Sequence, residues 1–195
     1  MRRFLAVLLV PVVVVALAPA APVPKHLMKN RGPAYYYPTT VGAKWVYDDN
    51  GRDHVLVISK VEDRKAAKVV TVEHDDGKRR TVDEVMEVSE GGLARLACGG
   101  EPFGVPLVML KGPFRAGTTW ENKTAGIEGT DTIGAVETIK VPAGTFEAVR
   151  VDAEYTLANQ PMSYTAWYAP NVGLLKMTEG DKVLWLLKSF TPGKE

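Results

Sequence analysis

The clearest pattern in this sequence is an alternation of apolar and polar residues between positions 149 and 157. Apolar residues occupy every second position, and charged or hydroxyl-bearing residues occupy the positions between them. Because successive side chains of a β-strand point to opposite faces, this period of two predicts a strand with one buried and one solvated face. The residues predicted to face inward are Val149, Val151, Ala153, Tyr155 and Leu157.

Short apolar runs separated by turn residues extend this pattern over most of the chain. Asn50-Gly51 and Asp76-Gly77 each lie between two such runs, and these dipeptides favour tight β-hairpins. No window of eleven or more residues after position 20 shows the period of an amphipathic helix. The sequence therefore predicts an all-β protein, an antiparallel meander of about ten strands that forms a strongly curved sheet or a partly open barrel.

Three segments carry more specific expectations. The stretch from Gly99 to Pro106 is rich in glycine and proline, which predicts a connection outside the strands. Gly129 and Gly134 interrupt the run 127–141, and each predicts a bulge or bend. Residues 182–191 are apolar on both faces, which predicts either a central strand under a packed loop or a strand lining an apolar cavity. The predicted core comprises Trp45, Val55, Val57, Trp120, Val149, Val151, Tyr155, Tyr164, Trp185 and Leu187.

The first twenty residues have the three parts of a secretory signal peptide. Arg2 and Arg3 precede an apolar run over 4–18, and Ala18-Pro19-Ala20 offers small residues before a cleavage point after Ala20. The run is shorter than the roughly 20 residues of a membrane-spanning helix. We therefore expect an exported protein, periplasmic or extracellular, without a stable membrane anchor.

The remaining chain divides into three parts. A proline-rich, irregular lead-in is expected over 21–40, with Tyr35-Tyr36-Tyr37 lying against the edge of the domain. A single β domain is expected over 41–191, followed by a flexible tail over 192–195.

Charge and cysteine content exclude several classes of protein. Removal of 1–20 takes away Arg2 and Arg3, which leaves 22 basic residues (24 − 2) against 23 acidic ones. Such a balance disfavours nucleic-acid binding, which needs a basic face. Cys98 is the only cysteine, so an intrachain disulfide is impossible, and we expect this side chain to be buried as a small hydrophobe.

Candidate chemistry is sparse. The three histidines, His26, His54 and His74, fall into no catalytic, metal-binding or phosphate-binding motif, so no catalytic residue, metal site or cofactor is predicted. A Gly-x-x-Trp pattern occurs at Gly42–Trp45 and again at Gly117–Trp120, where the aromatic ring either anchors the core or contacts a ligand. The candidate ligand contacts are Trp45, Trp120, Trp167, Trp185 and Leu187.

Two segments resemble a broad group of uncharacterised exported bacterial β-proteins. They are P-A-G-T-F at 142–146 and W-Y-A-P-N-V-G-L-L-K at 167–176, and V-G-A-K-W-V-Y at 41–47 fits the opening strand of the same group. Proteins of this group look like relatives of the open β-barrel of lipoprotein-localisation carriers. The resemblance implies a curved barrel with a concave apolar face that accepts acyl chains, and it assigns no catalytic residue.

The leading hypothesis is a non-enzymatic envelope protein that binds an apolar or lipid-like small molecule, or an envelope protein partner, on a concave apolar face. A hydrolase with dispersed catalytic residues and a purely structural envelope module are the alternatives. A binding protein should contain an apolar pocket of at least ~300 Å³. A hydrolase should bring His54 or His74 close to an acid and a nucleophile in a cleft.

Overall fold

A computed structural model describes residues 35–194, which form twelve β-strands and contain no helix within that range. The expected signal peptide and the lead-in up to residue 34 lie outside the described residues, as does Glu195. None of the described residues forms a helix long and apolar enough to cross a membrane. The strands are β1 (Lys44–Asp49), β2 (Arg52–Arg64), β3 (Ala67–Asp75), β4 (Arg80–Ser89), β5 (Gly92–Cys98), β6 (Glu101–Lys111), β7 (Thr119–Thr124), β8 (Ile127–Val141), β9 (Gly144–Leu157), β10 (Gln160–Ala169), β11 (Gly173–Glu179) and β12 (Lys182–Thr191).

All twelve strands belong to one antiparallel sheet. Strands that follow one another in the chain are neighbours in each half, and β1 pairs with β12 to join the two halves. The order runs β6-β5-β4-β3-β2-β1-β12-β11-β10-β9-β8-β7, so the two end strands are β6 and β7. These two strands also touch each other, which nearly closes the sheet into a barrel. The expected all-β meander is confirmed, with two strands more than the sequence predicts.

The predicted hairpin turns follow from residues that tolerate positive φ. Asn50 and Gly51 have φ angles of 51° and 83° and form a two-residue loop between β1 and β2. Positive φ at both positions is the type I′ turn, whose twist matches that of the paired strands. Gly77 likewise has φ 82° in the turn between β3 and β4. The sequence therefore located these two hairpins correctly.

The expectation for the stretch from Gly99 to Pro106 is wrong. Gly99 and Gly100 alone form the turn, with φ angles of 59° and 86°, and β6 begins at Glu101. β6 contains Pro102 and Pro106 because it is an end strand, where proline removes no hydrogen bond from a central ladder.

Bulges adjust the faces of two strands. In β8 the register with β9 slips between Ile133 and Val136, at Gly134, as the sequence predicts, whereas Gly129 pairs with Tyr155 without a shift in register. In β12 the register with β1 slips at Lys188, so Phe190 and Leu187 lie on the same face although three positions separate them. This slip explains why the apolar residues of β12 do not alternate cleanly.

The core lies inside the barrel. The alternation in β9 is confirmed for Val149, Val151 and Ala153, which are each 1% exposed, and for Tyr155, which is buried as well. Leu157 at the end of the strand is 43% exposed. Trp45 pairs with Leu56 across β1 and β2, so Leu56 and Ile58 face the interior. Val55 and Val57 therefore lie on the outer face. The predicted burial of Val57 is confirmed, since it is 5% exposed there, whereas Val55 is only half-buried.

Candidate functional site

The interior of the barrel is not completely filled. A cavity of about 400 Å³ lies within it, lined mainly by aromatic, leucine and methionine side chains. The lining residues are Tyr37, Trp45, Tyr47, His54, Leu56, Asp83, Glu84, Met86, Leu93, Arg95, Cys98, Leu107, Met109, Ile127, Tyr155, Leu157, Met162, Tyr164, Tyr168, Leu174, Met177, Leu184 and Trp185. The volume falls in the usual range for small-molecule sites, about 300 to 1,000 Å³.

The strand directions place the mouth of the cavity at one end of the barrel. Leu157 ends β9 and Cys98 ends β5, both residues are exposed, and both line the cavity. Ile127 begins β8, and in an antiparallel meander strand ends and the following strand beginnings share one rim. The cavity therefore opens between the turns of this rim.

The opposite end of the barrel is covered by the last residues of the lead-in. The sequence places the tyrosine triplet against the domain edge, but Tyr37 is buried in the interior and its ring centroid lies 5.2 Å from that of Trp45. Tyr36 packs on Phe114 at 4.6 Å between ring centroids, and the carbonyl of Tyr35 accepts a hydrogen bond from the backbone N–H of Asn171. The cavity is thus a pocket with one open end.

One ion pair lies within this apolar surrounding. Nε of Arg95 donates to Oε2 of Glu84 at 3.0 Å, Nη2 lies 2.8 Å from the same oxygen as an ion-pair contact, and the hydroxyl of Tyr37 donates to Oε1 at 2.9 Å. The side chain of Glu84 is 10% exposed, whereas that of Arg95 is 29% exposed because it faces the cavity. The accessible polar group in the pocket is therefore a cation that can only donate hydrogen bonds.

Burial and neighbouring charges determine the protonation states of Tyr37 and Arg95. Burial raises the pKa of Tyr37, and the negative charge of Glu84 raises it further, so the phenol stays protonated and remains a donor. For Arg95, burial acts to lower the pKa, but the carboxylate of Glu84 outweighs it and the net shift is upward. Arg95 is consequently charged at every physiological pH.

The two histidines of the described chain meet at the mouth. The rings of His54 and His74 stack with a centroid separation of 4.2 Å and an interplanar angle of 3°, and the Trp185 ring meets His54 edge-on. Burial and the neighbouring His74 lower the pKa of His54, so this imidazole is neutral at pH 7. Burial, together with Glu84, raises the pKa of nearby Asp83.

The histidines, Asp83 and Cys98 at the mouth are not linked to one another by hydrogen bonds within residues 35–194. Nε2 of His54 is buried without a partner among the described residues. The expectation that Cys98 is buried is wrong, since this thiol is exposed at the cavity mouth. In the same range, no group of three or more His, Cys, Asp or Glu side chains is placed to hold a metal ion.

The contact between β6 and β7 is made by side chains rather than by a backbone ladder. Asn122 accepts from the backbone N–H of Val108 at 2.9 Å and donates to its carbonyl at 2.9 Å. The indole N–H of Trp120 donates to the same carbonyl at 2.9 Å, and the Thr124 hydroxyl donates to the carbonyl of Val105. We call the line where β6 meets β7 the seam. There, the side-chain amide of Asn122 makes the pair of hydrogen bonds that a backbone peptide group would make between two paired strands.

A buried carboxyl group supports the seam from within. Asp131 is 1% exposed and accepts from Nδ2 of Asn122 at 2.7 Å and from the hydroxyl of Tyr155. Burial raises the pKa of Asp131 to about 6, while these two hydrogen bonds act in the opposite direction. Tyr155 also lines the cavity, so the seam and the pocket share a residue.

The five predicted ligand contacts fall in different places. Trp45 and Trp185 line the cavity, and Leu187 is fully buried in the core beside it. Trp120 is buried at the seam. Trp167 donates its indole N–H to Glu137 at 3.1 Å and lies 5.2 Å under the ammonium of Lys176, on the outer face. The sequence analysis did not single out Glu84 or Arg95.

A second concave region is a less suitable site. It spans about 720 Å³ between Tyr35 and the turns that follow β2 and β4, and charged residues such as Arg64, Lys65 and Glu90 line it. Open, charged surface of this kind lacks the apolar walls typical of small-molecule sites.

Comparison with known proteins relates the chain to others by fold. No protein-family model matches it, and no curated protein does. Among solved structures it is similar to an inferred exported protein with a YmcC-like fold from Bacteroides fragilis NCTC 9343, at 16% identity, 81% coverage of this chain, 99% coverage of that chain and a TM-score of 0.51. An inferred lipoprotein from Parabacteroides distasonis ATCC 8503 matches at 17% identity, with 83% and 100% coverage and a TM-score of 0.50. At such identities the likeness establishes the all-β barrel fold that these proteins share with this chain.

Proposed function

We propose that this protein is exported and that its barrel binds the apolar chain of an amphipathic or lipid-like molecule, without catalysing a reaction on it. The observation that carries the proposal is the cavity of about 400 Å³ in the barrel interior, whose walls are mainly aromatic and aliphatic. Apolar walls with a few placed polar groups characterise small-molecule sites.

The size of the cavity sets the size of the ligand. A water molecule occupies about 30 Å³ of liquid, so the cavity accommodates about 13 groups of that size. An alkyl chain of about ten carbons with a small head would fill it. Burial of such a chain contributes about 8 kcal/mol at about 0.8 kcal/mol per CH₂, before the entropic costs of association. Micromolar to millimolar dissociation constants follow.

Export is supported by the order of charged, apolar and small residues in 1–20 and by the description of the two similar structures as an exported protein and a lipoprotein. Cleavage after Ala20 gives a mature chain that begins at Ala21. N-terminal sequencing of the protein from its native host tests this directly, and a chain that still begins at Met1 would contradict it.

A non-enzymatic role is supported by the geometry at the mouth. A histidine that activates a nucleophile must come within hydrogen-bond reach of it. His54 and His74 stack on each other instead, and Cys98 and Asp83 line the cavity without a hydrogen bond to either ring. The stacked pair fits a packing role in the wall of the pocket.

A substitution that fills the cavity tests whether an apolar ligand binds there. Met177→Trp places a larger side chain in the wall, and Val136→Trp adds the same ring at an outer position that is 61% exposed. Titration with the fluorescent probe N-phenyl-1-naphthylamine should show binding to the wild type and to Val136→Trp, and at least about tenfold weaker binding to Met177→Trp. Equal binding by all three proteins, or binding by none, would contradict the proposal.

A further inference from the structure

The charges inside the cavity restrict the head group that a bound chain can carry. Arg95 is the only cation among the cavity-lining residues of the described chain, and Glu84 already balances it. Asp83 adds a second acid to the lining, and His54 is neutral at pH 7. The pocket thus carries no surplus positive charge.

The hydrogen-bonding capacity of Arg95 is only partly used. A guanidinium has five N–H donors, and Glu84 accepts a hydrogen bond from Nε and lies in ion-pair contact with Nη2. The remaining donors lie on the accessible, cavity-facing part of the side chain. Glu84 is occupied from both sides, by Arg95 at Oε2 and by Tyr37 at Oε1.

The lack of surplus positive charge and the unused donors of Arg95 together determine which head groups fit the pocket. A carboxylate or phosphate head would find donors on Arg95, but it would add an uncompensated negative charge beside Glu84 and Asp83 in a region of low dielectric. An ammonium head is attracted to Asp83, but the exposed guanidinium of Arg95 repels it and offers it no hydrogen-bond acceptor. An uncharged ester or amide carbonyl accepts hydrogen bonds from Arg95 and leaves the charge balance unchanged.

We propose that the barrel selects neutral amphipaths, such as monoacylglycerol-type esters, whose carbonyl or hydroxyl oxygens accept hydrogen bonds from Arg95 beside Glu84. This inference rests on the proposed binding of an apolar chain and adds the class of head group. Glu84 acts here as the residue that sets specificity, because it cancels the charge that would otherwise attract an anion.

Three probes with the same ten-carbon chain test the selection: monodecanoylglycerol, decanoate and decyltrimethylammonium, each titrated by calorimetry at pH 8 and below its micelle concentration. Monodecanoylglycerol should bind at least about tenfold more tightly than either charged probe. Equal affinities, or tighter binding of decanoate, would overturn the inference while leaving chain binding intact. Failure of all three to bind would instead refute the proposed function.

Glu84→Gln provides the decisive variant, because it keeps the size of the side chain and an acceptor for Tyr37 while removing the negative charge. Arg95 then loses its ion-pair partner, so decanoate should bind the variant at least about tenfold more tightly than it binds the wild type. An unchanged affinity for decanoate in the folded variant would overturn the inference.

A double variant keeps the test valid if the single one does not fold. Glu84→Gln with Arg95→Met removes both charges together and therefore leaves no buried unpaired ion. Monodecanoylglycerol should bind this protein about tenfold more weakly than the wild type, because the donors are gone while the chain pocket remains. Wild-type affinity for the ester in a folded double variant would show that Arg95 does not contact the head group.

Discussion

The buried carboxyl group of Asp131 should make the barrel less stable as the pH rises. Its pKa is about 6 in the folded protein, against an ordinary value of 3.8. The folded state therefore binds more protons than the unfolded state between these two values, and unfolding becomes easier as the pH rises through that window. The full difference of about 2.2 pKa units corresponds to about 3 kcal/mol.

Asp131→Asn isolates this effect. Asparagine has nearly the same shape and keeps one oxygen that can accept from Asn122 and Tyr155, but it does not titrate. The difference in unfolding free energy between variant and wild type should grow in favour of the variant by about 2 kcal/mol between pH 4.5 and pH 7.5. The contributions of all other ionisable groups cancel in this difference when they are unchanged by the substitution.

Urea unfolding followed by circular dichroism at a series of pH values measures this difference, with comparison of the urea slopes to confirm that both proteins unfold in the same way. A difference that stays constant across the series would refute the reasoning, since it would mean that Asp131 titrates alike in the folded and unfolded chains. A difference that grows toward low pH would show that the seam stabilises the charged carboxylate.

Three further predictions concern the fold and the mouth of the cavity. Asn122→Ala removes the side chain that is hydrogen-bonded to β6, and it should lower the free energy of unfolding by about 2 to 4 kcal/mol in a urea melt. Glu121→Ala, at the adjacent exposed position, should change that free energy by no more than about 0.5 kcal/mol. Similar effects of the two substitutions would mean that Asn122 does not hold the seam. Val151→Asp should lower the free energy of unfolding by at least about 3 kcal/mol because it buries an unpaired charge. Asp152→Ala, on the outer face, should lower it by less than about 1 kcal/mol. Comparable losses would mean that the inner and outer faces of β9 are assigned wrongly. The ring of His54 should titrate in NMR spectra with a midpoint below 6.5, since burial and His74 oppose its protonation; a midpoint above that value would contradict the stacked arrangement.

Features encoded by neighbouring residues were predictable from the sequence. The period of two in β9 identifies its buried face without any knowledge of the partner strands, and the Asn50-Gly51 turn is specified by two residues. The inclusion of Pro102 in β6 was not predictable in this way. Proline is tolerated there because β6 lies at an end of the sheet, and the position of a strand in a sheet depends on pairings across the whole chain.

The polar groups that line the cavity are brought together by pairing of distant strands, so they could not be predicted from local sequence patterns. Tyr37 reaches Glu84 across 47 positions of the sequence, and no local pattern links them. A signal did exist for the seam. Asn122 and Thr124 occupy buried positions of an alternating strand whose first buried residue is Trp120, and polar residues on a buried face require partners. That signal indicates a hydrogen-bonded neighbour but not which strand supplies it.

Two of the five candidate ligand contacts, Trp45 and Trp185, lie on the cavity wall, and they do so for a physical reason. A large aromatic residue at an inward position of a barrel either fills the core or borders whatever space remains. Trp167 is an equally large aromatic residue but lies on the outer face of β10. There its indole N–H donates a hydrogen bond to Glu137, and the ammonium of Lys176 lies over its ring. Aromatic content alone therefore could not separate wall from surface.

Native mass spectrometry of the protein, purified from its own cell envelope without detergent exchange, shows whether the barrel carries an apolar chain. We expect a noncovalent adduct of a neutral amphipathic molecule, present in the wild type and in Val136→Trp and lost from Met177→Trp. A bare polypeptide mass in all three proteins, or an adduct that survives in Met177→Trp at the wild-type level, would contradict it.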